Sequence, residues 1–145
     1  MQKIKLEAEA IQISMYIDII LSILERHNEL SICKIMLFSY LIKKELFRPW
    51  EIYTAQNKQD IVYKAISLLS GEYEDYCENV KFILKSIHLL KLNGNVTVIR
   101  SMIRLLKGRE AKSYIYEESP FIQKAIEASK TMADRQFMKE VMNSV

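Results

Sequence analysis

Residues 76–98 constrain the fold more than any other part of this chain. They read Tyr76-Cys77-Glu78-Asn79-Val80-Lys81-Phe82-Ile83-Leu84-Lys85-Ser86-Ile87-His88-Leu89-Leu90-Lys91-Leu92-Asn93-Gly94-Asn95-Val96-Thr97-Val98. Val80, Ile83, Leu84, Ile87 and Leu90 recur at helical spacing, and Lys81, Lys85 and His88 form a second, polar stripe at i, i+4 and i+7. The spacing predicts a helix over about 74–91. Asn93-Gly94 then reads as a type I′ turn, because both of its central positions must accept positive φ. The turn predicts a hairpin with strands at about 89–92 and 95–99.

A helix feeding directly into a hairpin is the order of a recognition helix and its wing. The expected fold is therefore mainly α. A winged-helix-like core would carry a small β-hairpin between long N- and C-terminal helices. The rest of the chain is consistent with that plan. Ile4, Ala8, Ile11, Met15, Ile19 and Ile23 predict a helix over about 3–27, with further apolar residues off the stripe at Ile13, Ile17 and Leu21. A helix apolar on most sides is buried on most sides, within the domain or against a second chain. The β-branched richness of its first dozen residues also suits a strand.

His27-Asn28 reads as a helix stop, with Asn28 able to cap the next helix. A second helix is expected over about 30–47, bounded by Pro49. A loop follows at 50–57, and a third helix over about 58–70 is capped by Gly71. After the hairpin, 101–107 reads as a short helix, 108–112 as a turn and 114–116 as an extended piece. Ser119-Pro120 marks a helix start, with Ser as cap and Pro in the first helical position. The last helix or helix pair runs from Phe121 to about Asn143, and Asp134 could cap a fresh turn within it.

All 145 residues form one expected domain. The charged share of 27% and hydrophobic share of 50% suit a globular chain and exclude a disordered one. Three Gly and two Pro are too few for the turns of a sandwich or barrel. Net charge is only +3, but its distribution is uneven. Between Lys81 and Lys112 stand eight basic residues and one acid, Glu110, preceded by Glu72, Glu74, Asp75 and Glu78. That asymmetry suits a phosphate-facing surface, an acidic protein partner or an ordinary solvated face. Cys33 and Cys77 belong to no CxxC pair, and Cys33 reads as a small buried side chain. No apolar signal core follows the start. The apolar run 11–24 carries Asp18 and is short of the ~20 residues that cross a bilayer. A cytoplasmic location away from membranes is expected.

The sequence offers little for catalysis. His27 and His88 are far apart, with no HExxH, no Cys/His cluster, no phosphate-binding glycine loop and no GxSxG. No catalytic residue, metal site, cofactor or small-molecule substrate is expected. Glu25-Arg26-His27 reads as a solvated helix end. Glu72, Glu74 and Asp75 read as the acidic first turn of a helix, though such a group could also hold a cation. Cys77 and His88 are too far apart on one helix to pair. Tyr73, Tyr76 and Phe82 suit core anchors better than base-stacking platforms.

The chain resembles the small middle component of bacterial ABC three-component systems, which include Lamassu-type anti-phage defence. The resemblance rests on the helical start before Leu30-Ser31-Ile32-Cys33-Lys34-Ile35-Met36-Leu37. It rests also on the 79–92 helix entering Asn93-Gly94-Asn95-Val96-Thr97-Val98, and on Asp134-Arg135-Gln136-Phe137-Met138-Lys139-Glu140-Val141. It covers most of the chain through degenerate hydrophobic patterns. It implies a non-catalytic adaptor beside an SMC-like ATPase and an effector, often a nuclease. The chain departs from many members after its second helix. It has only Phe47-Arg48-Pro49-Trp50 where they carry a Pro-rich apolar stretch, so the effector's identity stays open.

Two readings follow. In the first, an adaptor binds protein partners through apolar surface at both ends of the chain, at Ile13, Ile17, Phe137, Met138, Val141 and Met142. In the second, a winged-helix transcriptional regulator binds DNA through Lys81, Lys85, His88, Lys91, Arg100 and Arg104. The basic residues could equally meet an acidic partner, or nonspecific double-stranded DNA within a larger complex. Lys and His on the outer helix face are poor readers of base edges, which weighs against sequence-specific recognition.

Overall fold

The computed structural model describes residues 2–45, 58–106 and 116–143. The loop expected at 50–57 and the turn expected at 108–112 lie outside those residues, as does most of the piece expected at 114–116. Among the described residues the protein is mainly helical, with six helices and a small three-stranded antiparallel sheet.

Helix α1 spans Gln2–His27. It stops where Asn28 turns to a φ of 73° and its N–H donates to the Leu24 carbonyl at 2.9 Å. Asn tolerates this left-handed position better than most residues. Asn28 does not start a second helix as expected. Strand β1, Glu29–Ser31, intervenes before α2, Ile32–Glu45. Three residues are too short to show an alternating pattern in sequence. β1 exists because β3 offers it a pairing edge.

Helix α3, Lys58–Ser67, is shorter than its apolar pattern implies. The chain tightens through Leu68, Leu69 and Ser70, whose N–H groups reach back three residues, and then reverses at Gly71 with φ 79°. Helix α4 follows over Tyr73–Leu92.

The hairpin was expected one element too early. Residues 89–92 are the last turn of α4 and not a strand. Asn93 keeps a right-handed φ of −80° while Gly94 adopts 76°. Asn95 N–H donates to the Leu90 carbonyl at 2.9 Å, and Gly94 N–H to Lys91 at 3.1 Å. That pair of bonds is a Schellman helix end. The reversal between strands instead falls at Arg100 and Ser101, with φ of 50° and 65°. It joins β2, Val96–Ile99, to β3, Met102–Leu105, where a short helix was expected. The sheet order is β1-β3-β2, and Ile103 of β3 faces Leu30 on one side and Val98 on the other.

Helices α5, Pro120–Ser129, and α6, Asp134–Asn143, form the expected C-terminal pair. Ser119 caps α5, its Oγ accepting the Ile122 N–H at 3.1 Å.

One core joins these elements. Tyr16, Ile19, Ile20 and Ile23 of α1 are buried with Ile35 and Phe38 of α2, Ile83 and Leu90 of α4, and Ile103 of β3. Ile122 and Ile126 of α5 and Phe137 of α6 complete it. α1 and α4 run antiparallel. The Tyr16 hydroxyl donates to Asn79 Oδ1 at 2.7 Å, and the Ser86 hydroxyl to the Ile13 carbonyl at 3.0 Å. Buried Lys34 donates to the Met132 carbonyl at 2.6 Å, tying α2 to the turn between α5 and α6.

Candidate interaction surface

The outer face of α4 is the most chemically distinctive surface. α4 turns Ile83, Ile87 and Leu90 into the core, which forces Lys81, Lys85, His88 and Lys91 outward, and all four are exposed. They do not form a purely basic stripe. Leu84 and Leu92 are exposed among them, Leu92 by 68%. Exposed leucines contribute nothing to holding phosphates, so the face is mixed, cationic and apolar. Lys85 also has an intrachain carboxylate, Glu9 Oε2, at 3.6 Å.

Arg100 is exposed at the hairpin turn, on a different element from the α4 cations. Arg104, on β3, faces Glu29 across the β1–β3 pairing, its Nε donating to Glu29 Oε2 at 3.0 Å. Part of its charge is therefore balanced within the chain.

The six apolar residues expected at an interface divide into three pairs. Phe137 and Val141 are buried in the chain's own core, Phe137 with its ring centroid 6.0 Å from that of Phe38. They offer no surface, because α6 folds back on α2 with these residues inward. Ile13 and Ile17 are half-buried on α1. Met138 and Met142 are exposed on α6, and Met142 Sδ lies 3.8 Å from the Tyr73 hydroxyl.

The most exposed apolar side chains near the N-terminus were not among those chosen from sequence. Ile4 is 71% exposed, Leu6 65% and Ile11 60%. Every residue from Gln2 to Ala8 is exposed, so the first two turns of α1 stand clear of the body. The signal was present in the Ile4, Ala8, Ile11 spacing, but periodicity cannot tell a stripe covered by the core from one left open.

Two of the polar groups considered for catalysis, His27 and Asp75, have structural partners. His27 is not at a solvated helix end. Its ring is buried between Glu118 and Glu127, with Nε2 and Nδ1 at 2.8 and 2.5 Å from carboxylate oxygens. Burial opposes charge on the ring, but the two carboxylates outweigh it and raise the His27 pKa above its ordinary value. Asp75 accepts the Tyr40 hydroxyl at 2.7 Å and pairs with Lys44 at 2.8 Å. Hydrogen bonding to Lys44 and Tyr40 lowers its pKa.

Tyr76 is buried edge-on to Tyr40, while Tyr73 and Phe82 pack against the core from its margin. Among the described residues, no three His, Cys, Asp or Glu side chains converge to hold a metal ion, and no helix is long and apolar enough to cross a membrane.

Comparison with protein families, curated proteins and solved structures finds no match to this chain.

Proposed function

We propose that the chain is a non-catalytic adaptor that holds two protein partners together. The carrying observation is the set of large apolar side chains left exposed on separate elements. These are Ile4 and Ile11 on α1, Leu84 and Leu92 on α4, and Met138 and Met142 on α6. Partner proteins seated on these elements would take that apolar surface out of water. The resemblance to the middle component of ABC three-component systems supplies the kind of partner: an SMC-like ATPase and an effector, for example a nuclease, in a cytoplasmic anti-phage complex. A winged-helix reading of the core accords with the helix, strand, helices, hairpin order and with β3 at the centre of the sheet.

Purification of the tagged full chain from its native operon tests the proposal. Two co-purifying proteins in fixed stoichiometry are expected, one an SMC-like ATPase. Leu84→Glu with Leu92→Glu should release at least one of them while the chain stays folded, since both sites are exposed. Recovery of the chain alone would sink the reading.

A second reading is a winged-helix regulator that binds duplex DNA. Its support is the exposed Lys81, Lys85, His88 and Lys91 on one helix and Arg100 at the hairpin turn. Binding by these groups should weaken steeply with added salt and with Lys81→Glu plus Lys85→Glu. Undetectable or salt-insensitive binding removes this reading and leaves the first.

A further inference from the structure

Ile4, Ala8, Ile11 and Met15 recur on α1 at spacings of four, three and four residues, the repeat of a helix-pairing seam. The seam lies on the side of α1 away from Ile20 and Leu24, which are buried in the body. Ile4, Ala8 and Ile11 are exposed, and Met15 is half-buried where the body begins. The next position of the repeat is Asp18, which is partly exposed and forms no ion pair among the described residues.

The charges along this seam are complementary to those of a second copy in one direction only. α1 has no acid in its first turn, where Lys3 stands instead. A helix N-terminus carries partial positive charge and unpaired N–H groups, so this end favours a carboxylate from elsewhere. In an antiparallel pair of α1 helices, Ile4 of one copy meets Met15 of the other and Ala8 meets Ile11. Asp18 then falls beside the first turn of the opposite helix, close to its Lys3, and the two-fold axis repeats this contact at the other end. Glu7 comes beside Ser14, so no like charges oppose. A parallel pair would instead set Asp18 against Asp18 on the seam. The antiparallel arrangement also places the two bodies at opposite ends, where each α1 projects freely.

We infer that α1 pairs antiparallel with α1 of a second copy of this chain, through Ile4, Ala8, Ile11 and Met15, closed at each end by Lys3 on Asp18. The pairing is independent of the partners proposed above: a single-copy adaptor that still holds both partners would exclude this inference alone. A seam of this length sits at the small end of specific interfaces, below about 1,200 Å² in total, so the dimer should be reversible with dilution.

Sedimentation equilibrium of the purified full chain over a concentration series tests the pairing. The mass should rise from one chain towards two. Ile4→Glu with Ile11→Glu should leave a folded monomer at every concentration, because both side chains lie outside the core. Lys3→Asp should weaken the dimer, and Lys3→Asp with Asp18→Lys should restore it. A wild-type monomer throughout overturns the inference, as does a dimer that survives the two glutamates. A dimer indifferent to Lys3→Asp, or one that the charge exchange fails to restore, overturns the antiparallel register.

Discussion

The Nε2 of His27, at the end of α1, donates to Glu118 Oε2 at 2.8 Å, in the segment that leads into α5. The opposite ring nitrogen meets Glu127 on α5, at 2.5 Å. Ionised carboxylates only accept, so this geometry favours a doubly protonated ring, and the two carboxylates raise the His27 pKa. Arg26 stands 3.9 Å from Glu118. Lys130 stands 3.5 Å from Glu127 and donates to the His27 carbonyl at 2.6 Å. The cluster joins residues about a hundred positions apart.

Stability should fall as pH rises past the ordinary histidine range. The His27 pKa is raised in the fold, so its contribution is complete below the unfolded value and is lost as pH climbs through the folded one. The His27 hydrogen bond lowers the Glu127 pKa, so that contribution is complete above the ordinary carboxylate value and is lost as pH falls through the lowered one. The cluster is therefore strongest in mildly acidic solution. Denaturant unfolding across pH measures this, and His27→Gln should flatten the alkaline decline. An unchanged decline in that variant would assign it to another group.

Removing the ring altogether should cost more. His27→Leu leaves the buried Glu118 carboxylate without its hydrogen-bond donor, with only Arg26 at 3.9 Å and a second oxygen that already has no partner. The expected loss is about 3 kcal/mol near neutral pH. Glu118→Gln in the same background should recover part of it. If His27→Leu were neutral, the clasp would contribute nothing to stability.

Gly94→Ala should destabilise by about 1 kcal/mol through the backbone alone. The added Cβ would meet nothing within 4 Å, but the residue must hold a φ of 76° to close α4. Gly94→Asn should cost less, since Asn tolerates that region. Thermal unfolding of the two variants separates conformational cost from packing.

The hairpin turn carries an unused opportunity in the other direction. Arg100 and Ser101 both hold positive φ without being glycine. Ser101→Gly should stabilise by about 0.5–1 kcal/mol, while Ser101→Val should destabilise. The Ser101 carbonyl, which accepts the Ile32 N–H at 2.8 Å, is retained in both. A denaturant midpoint that moved the same way in both variants would refute the strain argument.

The two ends of α6 should answer differently to truncation. Phe137→Ala opens a cavity beside Phe38 and should cost about 3–5 kcal/mol. Met142→Ala, on an exposed residue, should stay within about 0.5 kcal/mol in the free chain. Loss of a partner protein on Met142→Ala with stability unchanged would place that residue in an interface.

Elements with strong local signals were legible in the sequence. The Ser119-Pro120 start of α5, the Asp134 start of α6 and the Asn28 stop of α1 each depend on chemistry within one turn. Asn93-Gly94 was misassigned because the same dipeptide serves two structures. Its positive φ at Gly suits a type I′ turn or a Schellman end equally, and the four residues before it stayed helical. Arg100-Ser101 carries no turn signal at all. Its conformation is imposed by the strands on either side.

By itself, the sequence determined the mainly helical class, the rough extents of most helices and the outward cations of α4, because helical periodicity is a local property, but β3 read as a helix and the last turn of α4 as a strand. Only the tertiary structure decided that Phe137 and Val141 point inward, that His27 is buried between two carboxylates and that Ile4 and Ile11 remain in water. It also decided that β1 pairs with β3 more than seventy residues away. Those outcomes depend on which surfaces meet, and a stripe of apolar side chains does not encode which neighbour will cover it.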